Sequence, residues 1–217
     1  MNQNDVFVID NFLSEEEHKK LFFFLRSANW TSQWSSVDNR RVEGAWHWNF
    51  GFYESRQFMP PLSDADYEKL KETYPAVVPL WDKVKETVAQ KIGEHNLLRL
   101  YANCNPYGTN AYIHADDGDY TCVYYPALEW NSEWEGGTCF YDFKDFKGTD
   151  GEVYGSYDAI RYVTYRPNRI IMFPAQIPHR GMPVDKICHV PRYVVAMKLQ
   201  RDVNSAAYLQ NYYKGKV

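Results

Sequence analysis

The chain has 217 residues, 45% of them hydrophobic and 17% aromatic, and a formal net charge of −4. That supplies a full core for one domain, or at most two small ones, and excludes a generally basic nucleic-acid surface. No apolar run approaches membrane-spanning length, and the opening Met1-Asn2-Gln3-Asn4-Asp5 is not a basic segment followed by an apolar one. Neither a membrane partner nor a signal peptide is therefore expected, and the expected location is cytoplasmic. Cys104, Cys122, Cys139 and Cys188 are scattered with no Cys-x-x-Cys, which reads as buried free thiols rather than disulfides or zinc. Eighteen Tyr, twelve Phe and seven Trp point to a β-rich interior.

Asp5 to Asp10 reads as a short buried strand. Ser14 with Glu17 three residues on is a capping box, and the helix it opens should run to about Ala28 with Leu21, Phe22 and Leu25 inward. Trp30 to Tyr53 is aromatic without clean periodicity, with a strand or hairpin expected within Arg41 to Phe50. Pro60-Pro61 interrupts the chain, and Ser63-Asp64-Ala65-Asp66 begins a second helix. A third helix is expected from Pro79 to Lys91, since Leu80, Val84, Val88 and Ile92 recur every four residues and Gly93 can stop it.

From Asn96 the pattern is of strands. They are expected at Leu97 to Cys104, Tyr112 to Asp116, Tyr120 to Leu128, Gly137 to Phe143, Ala159 to Tyr165, Arg169 to Pro174 and Tyr193 to Leu199. Lys144 to Gly155 reads as a long polar loop, and Asp202 to Val217 as a tail with one short helix. Seven or eight strands at short spacing suggest a sandwich or barrel. The expected organisation is one domain: an N-terminal strand and supporting helices over 1–95, a β core over 96–200, and a tail over 201–217.

On a strand, His114 and Asp116 would share one face. With His179 they would make a two-histidine, one-carboxylate set, which leaves one side of a metal open for co-substrate and O2 in non-haem iron oxygenases. A lone His-x-Asp is common by chance, and by itself reads as a strand-end histidine and a solvated aspartate. Arg192 begins an apolar strand, so its charge calls for an anionic partner, and a guanidinium fork matches a carboxylate.

Taken together, His114-Ala115-Asp116, Tyr124-Tyr125, Trp130, Gly136-Gly137, His179 and Arg192 resemble the Fe(II)- and 2-oxoglutarate-dependent dioxygenases, specifically the prolyl 4-hydroxylase-like branch. The likeness covers Leu97 to Leu199, and Asn11-Phe12-Leu13-Ser14 is similar to the family's N-terminal start. It implies a double-stranded β-helix, or jelly-roll, with flanking helices. It also implies Fe(II) held by His114, Asp116 and His179, and 2-oxoglutarate anchored by Arg192 and Tyr125. The implied reaction hydroxylates an unactivated C–H bond, leading with a prolyl residue in a peptide or protein, and releases succinate and CO2. Ascorbate is an auxiliary expectation. A carboxylate at position 116 is unlike the halogenating variants, which leave that position to Ala or Gly. Nucleic-acid demethylating relatives carry a second Arg after the anchor, and none lies between Tyr193 and Gln200.

The sequence departs from the pattern in two places. His179 and Arg192 are thirteen positions apart, more than is usual in relatives, with Asp185 to His189 as the inserted stretch and Lys198 as the runner-up anchor. Asn105 stands where relatives often have a co-substrate tyrosine, leaving Tyr101 or Tyr112 as substitutes. The alternatives are hydroxylation of another residue or a small molecule, and a non-catalytic metal-binding jelly-roll. Arg180 reads as a solvated charge, and Trp46, Trp48 and Trp134 as packing near the site mouth. His47, His95 and His189 read as ordinary surface or core histidines, and Asp117 and Asp119 as a solvated loop.

Overall fold

The computed structural model describes residues 5–34, 47–55, 62–149 and 151–201. Trp46, Pro60-Pro61, the tail from Asp202, and much of the stretch expected to hold a hairpin lie outside the described residues. Along the chain the elements are β1 (Phe7–Ile9), α1 (Glu15–Ser27), β2 (Thr31–Trp34), β3 (His47–Glu54), α2 (Asp64–Thr73), α3 (Val78–Ile92) and β4 (Asn96–Asn105). There follow β5 (Tyr120–Tyr125), β6 (Thr138–Lys147), β7 (Val153–Val163), β8 (Arg169–Pro174), β9 (His179–Gly181) and β10 (Arg192–Gln200).

Two antiparallel sheets form the jelly-roll core. The major sheet has the order β1-β8-β5-β10-β4-β3-β2, and the minor sheet β7-β6-β9. Residues from both halves of the chain build the major sheet, because β1 pairs with β8 and β3 pairs with β4. No described helix is long and apolar enough to cross a membrane.

The helices start where side chains can satisfy their free N–H groups. Ser14 Oγ accepts from Glu17 N, while Ser14 N donates to the Glu17 carboxylate at 3.0 Å. Ser63 and Asp66 repeat the device at α2. Gly93, at φ 90°, ends α3 in a conformation that a side chain would strain. The buried faces of α1 and α3 (Leu21, Leu25, Leu80, Val84, Val88) pack on Leu100, Ala102, Cys122, Tyr124 and Met197 of the major sheet.

Strand alternation then decides what faces the other way. On β5, Cys122 and Tyr124 join the helical core, whereas Val123 and Tyr125 turn into the space between the sheets, with Phe140, Phe173 and Val194. The register places Arg192 opposite Asn105, Val194 opposite Asn103 and Ala196 opposite Tyr101, with Lys198 opposite Thr121 on the other side of β10. The interior of the roll thus carries a polar lining on an otherwise apolar sheet. All four cysteines are buried and free.

Two expected elements differ. Residues 144–155 are not a long loop: β6 and β7 continue as a ribbon through them, from Thr138↔Val163 to Lys147↔Val153. The ribbon's far half is solvent-exposed, so it shows no apolar alternation; it is held by its ladder and by aromatic pairs, Phe143–Tyr157 at 5.1 Å and Phe146–Tyr154 at 5.7 Å between centroids. The expected strand at Tyr112 to Asp116 is an irregular segment with a single bridge at His114.

Asn168 ties the start of the chain to this core. At φ 56° it closes the turn before β8, and its side chain accepts from Leu13 N (2.8 Å) and Tyr124 Oη (2.9 Å) and donates to Leu13 O (2.8 Å). Asn168→Ala removes all three bonds and replaces a residue that tolerates the left-handed conformation with one that does not. Urea unfolding should show a loss of about 3 kcal/mol; a loss below about 0.5 kcal/mol would mean that water replaces the side chain at no cost.

Candidate active site

Backbone pairing, not strand parity, brings the two histidines together. His114 N–H donates to the His179 carbonyl at 3.0 Å, and His179 N–H returns the bond to the His114 carbonyl at 2.9 Å. Asp116 N–H donates to Ala175 O at 2.8 Å, which fixes the segment two residues further on. The expectation that one regular strand presents His114 and Asp116 is therefore corrected: the segment is clamped from outside by the β8–β9 turn.

Each imidazole is tied down by its Nδ1. That of His114 lies 2.9 Å from Tyr112 O, and that of His179 lies 2.8 Å from Ile177 O. A carbonyl only accepts, so Nδ1 carries the proton and Nε2 keeps its lone pair. Both Nε2 atoms point at one carboxylate: His114 Nε2 is 3.5 Å from Asp116 Oδ1, and His179 Nε2 is 3.2 Å from Asp116 Oδ2. The three ligand atoms lie within 4.8 Å of one another. This donor set, with its tautomers fixed by outer hydrogen bonds, fits a divalent metal such as Fe(II). Phe173, 4.6 Å away centroid to centroid, packs on the edge of His179 and shields it.

The carboxylate has two further partners. Thr121 Oγ1 donates to Asp116 Oδ2 at 2.7 Å, and the Lys198 ammonium forms an ion pair with the same oxygen. Burial alone would raise the Asp116 pKa; the Lys198 and His179 neighbours outweigh it and hold the carboxyl well below its usual range. Burial opposes the Lys198 cation too, but Asp116 keeps its pKa raised. Burial also pulls the His179 pKa down, which favours the neutral imidazole a metal requires. The side chain of Lys198, the runner-up anchor, is thus engaged at the metal-ligand cluster.

Arg192 lies on the same lining, at the start of β10, and is buried. Its Nε donates to Gly136 O, and its Nη1 to Asn105 Oδ1 at 3.3 Å. Among the described residues no carboxylate pairs with it. Burial lowers its pKa, with nearby Tyr125 and Tyr165 offsetting part of that. Tyr125 Oη shares a hydrogen bond of 2.8 Å with Thr138 Oγ1, and its ring stacks on Tyr165 at 4.4 Å. Backbone without side chains makes the room: a β-carbon on Gly181 would sit 3.0 Å from Arg192 Nη2, and one on Gly136, at φ 72°, would meet Trp130 at 2.9 Å.

The remaining candidates fall in different places. Tyr101 lines the interior beside Lys198, with the ammonium 6.0 Å from its ring. Tyr112 contributes its carbonyl to His114. Arg180 lies over Tyr141 at 5.8 Å, on the face of the minor sheet opposite His179. Trp134 packs on Trp130 and His189. Asp117 is not simply solvated, because it pairs with Arg99, and Asp119 accepts from Gln200 and Arg201. Sequence reasoning missed Thr121, Gly181, Asn103 and the role of Asn105 as a partner of Arg192; only register across strands distant in sequence could have revealed them.

The Lys198–Asp116 pair has a measurable consequence. Both side chains are almost fully buried, so Lys198→Met leaves an uncompensated charge. Metal-free protein should lose about 3 kcal/mol of stability, and Asp116→Asn in the same background should restore part of it. Unchanged melting of Lys198→Met would show that the pair is solvated in solution.

No protein-family model matches the sequence, and no curated protein matches it. Solved structures do. A prolyl hydroxylase from Trichoplax adhaerens, determined in complex with a hypoxia inducible factor oxygen degradation domain peptide fragment, superposes with a TM-score of 0.60 at 17% identity, covering 92% of this chain and 84% of that one. A prolyl-4-hydroxylase from Pseudomonas putida gives 0.56 at 12% identity, covering 91% and 93%. A 2OG-Fe(II) oxygenase family oxidoreductase from Burkholderia pseudomallei gives 0.57 at 9% identity, covering 92% and 87%. With its two antiparallel sheets and flanking helices, the chain has the jelly-roll fold of the prolyl hydroxylases and other 2OG-Fe(II) oxygenases.

Proposed function

We propose that this protein is an Fe(II)- and 2-oxoglutarate-dependent dioxygenase that hydroxylates an unactivated C–H bond, with a prolyl residue of a peptide or protein as the leading substrate. The observation that carries the reading is the convergence of His114 Nε2, His179 Nε2 and the Asp116 carboxylate, with a buried, carboxylate-free Arg192 in the same interior. The peptide seen with the Trichoplax adhaerens enzyme supports the substrate class.

In this reading His114, Asp116 and His179 hold the iron, and Arg192 with Tyr125 holds the far carboxylate of 2-oxoglutarate. Bound iron and co-substrate supply O2 activation, with succinate and CO2 as the co-products. The chain's own work is positional. Tyr112 O and Ile177 O orient the two imidazoles, Thr121 and Lys198 fix the Asp116 carboxylate, and Phe173 keeps water from His179. Tyr101 and Tyr112 flank the co-substrate space. Ascorbate serves as an auxiliary reductant in the assay.

Succinate formation should require Fe(II) and 2-oxoglutarate, and Asp116→Ala should abolish it while the fold persists; full turnover by that variant would eliminate the three-residue site. Arg192→Met should weaken the apparent affinity for 2-oxoglutarate by about thirty-fold or more. Tyr125→Phe should cost only about 0.5–1.5 kcal/mol. Proline-rich peptides should stimulate succinate release and gain one oxygen by mass. Stimulation by small molecules alone would move the substrate class away from peptides.

A further inference from the structure

Of the ten large apolar side chains that stand exposed among the described residues, six are on the β6–β7 ribbon: Phe143, Phe146, Val153, Tyr154, Tyr157 and Tyr162. Such a concentration marks an interaction surface, unlike single exposed apolar residues. The ribbon also has an uncovered edge. β9 pairs with β6 only from Thr138 to Phe140, and the Tyr141 N–H donates to Pro178 O at 2.8 Å. At the far end the Gly148 N–H turns the other way, to Glu152 O at 2.8 Å. Alternation between those two bonds points the N–H and C=O groups of Phe143, Asp145 and Lys147 away from β7, and none of them has a partner among the described residues.

Charges ordinarily guard an exposed strand edge against pairing. A guard of one sign repels a copy of itself, but this edge carries both signs. It reads Asp142-Phe143-Lys144-Asp145-Phe146-Lys147, each Phe standing between an Asp and a Lys. Laid antiparallel on itself, such a triplet sets Asp opposite Lys on both sides of a Phe–Phe pair. Two centres satisfy this pattern. About Phe143, Asp145 of the second strand would fall opposite Tyr141, which is buried and whose N–H is already bonded. About Phe146, Asp145 and Lys147 of one copy meet Lys147 and Asp145 of the other along the free edge. Among the described residues neither Asp145 nor Lys147 is in an ion pair, whereas Lys144 is held by Asp158 at 3.1 Å. On the other face Phe146, stacked on Tyr154, would meet its own copy.

We infer that this protein pairs with a second copy of itself through the β6 edge, two-fold about Phe146, so that the two ribbons join into one antiparallel sheet. The contact is small beside stable interfaces, so the dimer is weak, with a dissociation constant on the order of 10 µM. It uses no residue of the candidate active site and needs neither metal nor 2-oxoglutarate.

Sedimentation velocity of the full metal-free chain tests it: monomer at about 1 µM should give way to dimer by about 100 µM. Lys147→Glu sets Glu against Asp145 of the copy and should weaken the dimer about tenfold or more. Adding Asp145→Lys to that variant reverses both charges and should return the affinity to within about threefold of wild type. Both positions are solvent-exposed, so the variants should melt as the wild type does. In the wild-type protein, exchange of the Asp145 and Lys147 amide hydrogens should slow as concentration rises over the same range, a readout that needs no variant to fold. Monomer alone at the upper concentration would leave the edge to a different partner and overturn the pairing. A dimer indifferent to Lys147→Glu, a double variant no tighter than Lys147→Glu, or amide exchange independent of concentration would each overturn it too.

Discussion

Two backbone hydrogen bonds, exchanged between His114 and His179, hold the candidate site together. The residues are 65 apart in sequence, and nothing local brings them near one another. The exchange sets their rings 4.7 Å apart, centroid to centroid. Everything else at the cluster follows from that clamp. The carbonyls of Tyr112 and Ile177, each two residues before its histidine, fix the tautomers, and the Ala175 carbonyl brings Asp116 to face both Nε2 atoms. A donor set oriented by outer hydrogen bonds in this way would need little further ordering to hold an ion.

The interior is unusual in the charges it buries. Lys198 and Arg192 both lie on β10 and both face the space between the sheets, yet their situations differ. Lys198 has a carboxylate partner in Asp116, so its charge is matched inside the fold. Arg192 has a carbonyl and an amide oxygen, which satisfy hydrogens but not charge. A buried cation matched only by dipoles is costly to hold, which is the physical basis for proposing an anionic ligand there. Six positions apart on one strand, one cation is matched by a carboxylate and the other only by dipoles.

The helices and most strands were legible in the sequence because their signals are local. The Ser14–Glu17 capping box, the four-residue recurrence of Leu80, Val84 and Val88, and the apolar runs of β5, β8 and β10 each follow from neighbours in the chain. That His114, Asp116 and His179 cluster and that Arg192 is buried was legible through residue type and order. The reason the trio meets was not: the segment around His114 is irregular, and its clamp comes from a distant turn. The β6–β7 ribbon escaped for the opposite reason, since both faces of its outer half meet water and leave no alternation to read.

The account stands on a single pre-formed three-residue metal site beside a dicarboxylate pocket. Crystals soaked anaerobically with Mn(II) and 2-oxoglutarate, examined by anomalous diffraction, test it directly. The account predicts one strong anomalous peak within bonding distance of His114 Nε2, His179 Nε2 and the Asp116 carboxylate, with a dicarboxylate running from it to Arg192. A peak elsewhere, or none at this cluster at saturating Mn(II), would contradict it.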